Sequence, residues 1–308
     1  FTQPDKLVAS FALIVSAIFR LSPTISRIQV NLNGFNSALP FVDELLNYCH
    51  KFDLNNIPQM PNHEFQKFTS TLEFKDINFS YIPNKLALKN INFTINKGEL
   101  IGIVGLSGAG KTTLADIISG LLKPQSGEIL IDGIPQTKPL HIGYIPQEFN
   151  IINGTIKDNV TFGAEEQLDN KVIEVLKKAK LYDYINENYP EGIYANPFID
   201  STGFSQGQKQ RLAIARALYS DPDILIMDEA TSSLDLKTEN ELCTVLNSLK
   251  KDMTIIAIAH RLSTIKNADK IIFIKNAEIQ DIAAFDKLIT QNSDFKTFVE
   301  LSSLDKSN

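Results

Sequence analysis

The stretch Leu100 to Thr113 (LIGIVGLSGAGKTT) restricts what this chain can fold into more than any other. An apolar run, Leu100 to Val104, passes directly into Gly105-x-x-x-x-Gly110-Lys111-Thr112. Apolar residues at helical spacing follow (Leu114, Ile117, Ile118, Leu121, Leu122) up to Pro124. The continuous run reads as a strand covered on both faces. The spaced residues read as a helix stopped by the proline. Strand, glycine loop and helix in that order form a phosphate-binding loop of the Walker A type. Triphosphate oxygens need donors free of side-chain bulk, and glycines let successive backbone N–H groups turn inward. The helix start adds partial positive charge. ATP is therefore expected on Gly105, Ser107, Gly108, Ala109, Gly110, Lys111, Thr112 and Thr113, with Lys111 on the β- and γ-phosphates and the Thr112 hydroxyl on Mg²⁺. A plain turn is the bland alternative, and the strand and helix on either side argue against it.

The second half of such a site is an acidic strand end. Asp223 to Glu229 (DILIMDE) places two carboxylates after four apolar residues. Asp228 is expected to hold Mg²⁺ and Glu229 to polarise an attacking water. The competing role for Asp228 is a helix cap. Thr254 to Ala259 (TIIAIA) is another buried strand, and it delivers His260 at its carboxyl end, where open parallel sheets bind ligands. Elsewhere the period is two: Leu72 and Phe74 inward, Glu73 and Lys75 outward, then Phe79, and after a turn at Pro83-Asn84, Ile91, Phe93 and Ile95. These are half-buried antiparallel strands. The fold class predicted is α/β: a P-loop NTPase (RecA-like) core with an antiparallel β subdomain and an α-helical subdomain, preceded by a long N-terminal helix. Lys270–Lys275 and Glu278–Ile282 predict a final hairpin around Asn276, and Phe285–Thr290 a terminal helix. Ser302–Asn308 is polar and expected to fray.

Composition excludes several classes. The chain of 308 residues is 43% hydrophobic and 21% charged, which fits a globular protein of about two domains and not a disordered one. Thirty Lys plus Arg against 36 Asp plus Glu leave −6, so no basic field invites nucleic acid. Cys49 and Cys243 lie far apart, without metal-ligand spacing, and read as reduced thiols.

The first fifty residues are of another kind. Leu7 to Phe19 (LVASFALIVSAIF) is uncharged and apolar, but shorter than the roughly 20 residues that span a bilayer. Its flanks make a poor signal peptide. Since the chain opens on Phe1 and not Met, it is expected to be a fragment or a processed product. Leu7–Phe19 is then the C-terminal end of a membrane helix cut upstream, or else a buried core helix. Ile25, Ile28, Leu32, Phe35, Leu39, Val42 and Leu46 continue it as a seam with spacings alternating between three and four, kinked at Pro40. From Lys51 the sequence turns polar and proline-containing. The domains expected are residues 1–50 as the end of a transmembrane helix and its extension, 51–69 as a linker and 70–308 as a nucleotide-binding domain. Residues 148–204 form its helical part, with Val172, Val175, Leu176 and Ala179 on one helix face.

Ser205-Gln206-Gly207-Gln208-Lys209-Gln210-Arg211, followed by LAIARALYSDPDILIMDEATSSLD, resembles the ATP-binding domain of the ABC transporter superfamily, over about Thr71 to Leu301. In that resemblance Gln147 (GYIPQE) is the Q-loop glutamine, close to Mg²⁺ and the attacking water. Phe204–Gln208 is the signature motif, Ser232–Asp235 the D-loop, with Asp235 its last residue, and His260 the switch histidine. Tyr81 is the aromatic that stacks on adenine. The resemblance implies catalysis by Glu229, His260 and Gln147, with Thr112, Gln147 and Asp228 around Mg²⁺. It implies a head-to-tail dimer in which Ser205, Gln206, Gly207 and Gln208 close over the ATP held by a second nucleotide-binding domain. The signature departs from Leu-Ser-Gly-Gly-Gln at Phe204 and Gln206, and NPFIDSTG lacks the Glu-Gly-rich stretch of many exporters.

Pro146–Gly163 (PQEFNIINGTIKDNVTFG) resembles the exporter pattern, and Phe19–Pro23 with the Phe-Ser of the signature is similar to bacterial flippases of lipid-linked oligosaccharides. The implied partners are a second such domain, in a homodimer or heterodimer, and a transmembrane domain upstream of residue 1, at the cytoplasmic face of the membrane. No nucleic acid is expected. The rivals are a soluble ABC-type ATPase of nucleic-acid or translation work, and a nucleotide sensor with little turnover. Glu229→Gln separates the sensor from the enzyme. Loss of a general base is expected to lower ATP hydrolysis by about 10²–10⁴-fold, measured as phosphate release. An unchanged rate is the sensor's outcome.

Overall fold

The computed structural model describes residues 4–51, 64–83, 85–147, 149–197, 203–228, 236–250, 252–258 and 265–304. They fall into two units, residues 1–62 and residues 63–308.

The first unit is one helix, α1 (Pro4–Lys51), of 48 residues. At 1.5 Å per residue it is about 72 Å long. Pro23 and Pro40 both lie inside it. Every residue of the predicted seam is exposed, from 40% at Leu39 to 65% at Phe35. Within α1, Ser10–Cys49 is long and apolar enough to cross a membrane by length and composition.

The second unit holds two sheets. Strands β1 (Thr71–Ile82), β2 (Lys85–Asn96), β4 (Ser126–Ile131) and β5 (Ile134–Pro135) form an antiparallel sheet in the order β2-β1-β4-β5. Strands β3 (Leu100–Val104), β6 (Ile142–Ile145), β7 (Ile224–Asp228), β8 (Thr254–Ile258), β9 (Lys270–Lys275) and β10 (Glu278–Ala283) form the other, in the order β10-β9-β3-β8-β7-β6. All of its pairings are parallel except β10 with β9.

The alternation of strand side chains explains how this sheet is covered. Leu100 and Val104 of β3, with Leu225, Met227, Ile255 and Phe273, face a core shared with the helical part. Ile101 and Ile103, with Ile226, Ile256, Ile258 and Ile272, face the antiparallel sheet and α2 (Lys111–Ile118). On that second side Phe74 and Phe93 stack at 4.4 Å between ring centroids.

The helical part consists of α3 (Ile156–Val160), α4 (Asp169–Lys178), α5 (Tyr182–Asn188), a 3₁₀ turn at Gly192–Tyr194 and α6 (Gln206–Leu218). Val172, Val175, Leu176 and Ala179 are buried together. Helix α7 (Leu236–Leu249) leads to β8.

Two expectations need correction. Helix α2 stops at Ile118, short of Leu121 and Leu122, because Gly120 takes a left-handed φ of 77° and ends the turn. Leu121 is exposed. The terminal helix is also not the last element: Phe285–Gln291 is followed by Ser293–Leu304, nucleated by Asn292, whose Oδ1 accepts from the Phe295 N–H at 2.9 Å. Phe295 and Phe298 then pack on Phe273. Residues 305–308 lie outside the described residues.

Asp132 opens the two-residue turn between β4 and β5, where it and Gly133 both have positive φ, the geometry favoured by tight hairpins. Its carboxylate accepts from the Thr69 N–H and hydroxyl and from the Ser70 and Thr71 N–H groups, at 2.6–2.9 Å. Burial works to raise this carboxyl, but the four hydrogen bonds outweigh it and hold it at about 2. A depressed value means stability that is present above the ordinary aspartate range and lost as pH falls through about 2. Asp132→Asn keeps a turn-compatible residue and removes the charge. It is expected to lower the melting midpoint by about 2–4 °C near neutral pH. That gap should narrow between about pH 4 and pH 2 in melts followed by circular dichroism.

Candidate functional site

Strand β3 ends at Val104 and the chain turns through the glycine loop into α2. Gly110 caps α2 with φ 107°, and a Cβ there would lie 2.6 Å from the Ala87 carbonyl oxygen of β2. Any other residue would be strained by its dihedral and would clash with backbone. No side chain caps α2, so the N–H groups at its first turn are not taken by a side-chain cap. Lys111 is buried and its Nζ donates to the Gly105 and Leu106 carbonyls at 3.0 and 3.1 Å. Its ammonium group thus folds back onto the loop that it serves.

A cavity of about 400 Å³ opens over this loop. Ser107, Gly108, Gly110, Lys111, Thr112 and Thr113 line one side of it. Tyr81, at the end of β1, lines it as well and is 61% exposed. The ring meets Phe79 edge-on at 5.0 Å, and its hydroxyl lies 3.3 Å from Thr113 Oγ1. The cavity has the size of a small-molecule site. It also takes in Lys85, Leu86 and Ala87 of β2 and Ala277 of the β9–β10 turn, which sequence reasoning missed. The Lys89 N–H donates to the Ala277 carbonyl at 2.7 Å, so the turn is tied to β2. Only a trace of this was legible: Asn276 marked a turn but not its neighbour across the fold.

Asp228 ends β7 at 9% exposure. The Tyr144 hydroxyl, from β6, donates to its Oδ2 at 3.2 Å. Burial, then the Asp228 and Asp116 carboxylates, push the Tyr144 hydroxyl above its ordinary value, so the phenol keeps the proton that it donates. Gln147 lies exposed, two residues past β6. A nearly buried carboxylate at a strand end and a threonine hydroxyl lining the cavity are hard oxygen donors, which fit Mg²⁺ and not a softer ion.

Ser205 caps α6, accepting from the Gln208 N–H, while the Gln208 side chain accepts from the Ser205 N–H at 2.7 Å. This reciprocal box fixes the helix start. A Cβ on Gly207 would lie 2.1 Å from Thr238 Cγ2, so α6 meets the first turn of α7 without room for a side chain. Gln206 is exposed. Phe204, one departure from the usual signature, is buried edge-on against Tyr184 and Tyr189 at about 6 Å. The larger ring fills a pocket that these two tyrosines frame.

Another feature missed from sequence is Arg216. Its guanidinium stacks at 4.3 Å from Phe149 and 5.1 Å from Phe162 and donates to the Asn159 and Asn150 carbonyls. Buried Asn159 in turn bonds Ile152 through both N–H and C=O. This lattice holds the segment that follows Gln147. Glu229, Ser232–Asp235 with Asp235, and His260 lie outside the described residues.

Comparison with known proteins agrees with this geometry. A family model described as ABC transporter matches residues 88–232. The heterocyst differentiation ATP-binding protein HepA of Nostoc sp. is 34% identical over 92% of this chain and 48% of its own length. An ATP-dependent lipid A-core flippase of Haemophilus influenzae is 39% identical over 94% of this chain and 54% of its own length. A bacterial Atm1-family ABC exporter solved with ATP bound superposes with a TM-score of 0.70 at 28% identity, over 84% of this chain and 47% of that one. The chain spans about half the length of these relatives.

Lys111→Ala removes the point charge at the centre of the cavity wall. Nucleotide affinity is expected to fall by at least about tenfold, since hydrogen bonds to a charged group are worth about 1.5–3 kcal/mol. Equilibrium binding of a fluorescent ATP analogue reads this, and wild-type affinity in the variant would contradict the assignment.

Proposed function

The chain carries an ATP-binding domain of the ABC transporter family, and from that premise we propose that it binds and hydrolyses ATP to drive export across a membrane. The observation that carries the proposal is the cavity over the Lys111 loop, which Tyr81 also lines, with Asp228 at the end of β7, two strands from β3 in the same sheet. Tyr81 stacks on the adenine. The backbone of Gly105–Gly110 and the first turn of α2 hold the phosphates, and Lys111 turns from its two carbonyls to the β- and γ-phosphates. Thr112, Asp228 and Gln147 would hold Mg²⁺, which would neutralise charge on the phosphoryl oxygens. Glu229 takes the proton of the attacking water, and His260 contacts the γ-phosphate.

The site is completed by a second copy or a homologous domain. The start of α6, with Ser205, Gln206, Gly207 and Gln208, closes over the γ-phosphate bound across the interface, as a helix N-terminus suited to an anion. Closure around two ATP molecules does the mechanical work, and hydrolysis permits reopening.

Helix α1 is the end of the last membrane span and its cytoplasmic continuation. Its exposed apolar residues and its length support this, as does the half-length match to membrane exporters. The transmembrane domain is thus the second partner, and the ATP-binding unit sits at the cytoplasmic face. A lipid-linked or amphipathic substrate is the class that the flippase relatives favour.

Fractionation of the source cells followed by blotting with an antibody against residues 70–304 tests the proposal. A membrane-bound band much heavier than a 308-residue chain is the expected result. A cytosolic band of that size would overturn the exporter reading and favour a soluble ABC-type ATPase.

A further inference from the structure

Tyr144 lies in β6, within the GYIPQE stretch, and its position is set by register. Strand β6 pairs in parallel with β7 so that Tyr144 lies opposite Ile226. Partners in a parallel pair share a face, and residues two apart along one strand do as well. Tyr144, Ile226 and Asp228 therefore point to the same side of the sheet, the side that α2 covers. Two residues of strand rise about 6.6 Å, roughly the reach of a tyrosine from its Cα to its hydroxyl. The ring packs against the core beneath α2 while the hydroxyl arrives 3.2 Å from Asp228 Oδ2. Phenylalanine would pack as well, but it would leave that contact unmade.

We infer that Tyr144 is a positioning residue for metal binding: its hydroxyl orients the Asp228 carboxylate for the Mg²⁺ that accompanies ATP. The inference rests on the proposed role of Asp228. A carboxylate on a single Cβ can rotate about its last bond. A donor fixed to the neighbouring strand selects one orientation before the ion arrives. Hydrogen-bond partners of metal-ligating carboxylates commonly change metal affinity by about 10–100-fold when removed. Tyr144 touches neither the phosphates nor the attacking water in this reading, so its effect is confined to the metal.

The test uses the full-length protein in lipid nanodiscs. ATP affinity is measured without divalent ion and then across a Mg²⁺ titration, and Mn²⁺ binding in the presence of ATP is followed by electron paramagnetic resonance. Tyr144→Phe is expected to leave metal-free ATP affinity and the melting midpoint unchanged, while shifting the Mg²⁺ and Mn²⁺ midpoints upward about tenfold. 3-Fluorotyrosine at position 144 keeps the hydroxyl and is expected to restore the wild-type response. Unchanged metal midpoints in Tyr144→Phe, with Asp228→Asn strongly impaired, would overturn the inference and leave Asp228 in its role. Unchanged midpoints in Asp228→Asn would remove that role and the inference with it. A Tyr144→Phe protein that loses its fold or its metal-free ATP affinity would assign the residue to packing alone.

Discussion

Gly110 has no space for a side chain, because the Ala87 carbonyl occupies the place where a Cβ would stand. That crowding joins the two sheets at the glycine loop. Strand β2 reaches the loop through Ala87 and the final hairpin through the Lys89 N–H bond to Ala277, and both line the cavity. The loop cannot move away from the antiparallel sheet without opening the pocket that Tyr81 closes. Cavity walls that come from different parts of the chain are therefore tied to each other. The cost is conformational: Gly110 holds a φ of 107°, and Ala277 a left-handed 65° with a Cβ attached. Such strain persists where surrounding packing over-determines it.

Much of this arrangement was legible because it depends on local pattern. Leu100–Val104 had to be a strand with two covered faces, and the glycine spacing after it had one physical use. The alternation in Thr71–Tyr81 and the turn at Asn276 could likewise be read directly. What escaped depends on residues distant in sequence. Lys85 and Ala277 reach the cavity only after the sheets have assembled. Arg216 gains its meaning from Phe149, Asn159 and Phe162, more than fifty residues earlier. The end of α2 is hidden in the sequence because Leu121 and Leu122 keep the helical period past Gly120, where the backbone has already turned. Asn292 carries a local signal for the last helix, an N-cap followed by an acidic first turn.

Phe204 illustrates how a departure from a family pattern can be absorbed. A larger side chain before the start of α6 needs added room. Tyr184 and Tyr189 receive the ring at offset angles near 70°, the geometry that aromatic quadrupoles prefer. The capping box of Ser205 and Gln208 stays intact, and the helix start keeps its direction.

The edges of the two sheets bear on how copies of the molecule can meet. At one end of the six-stranded sheet β6 has only four residues, and at the other β10 carries Glu278 and Asp281. The antiparallel sheet ends in a two-residue strand containing Pro135 on one side and in β2, with Lys85 and Lys89, on the other. Short, charged or proline-bearing edges resist the continuation of a sheet into a neighbouring molecule, which is the first step of fibrous aggregation. Contacts between copies are thereby steered from strand pairing toward loops and helix ends.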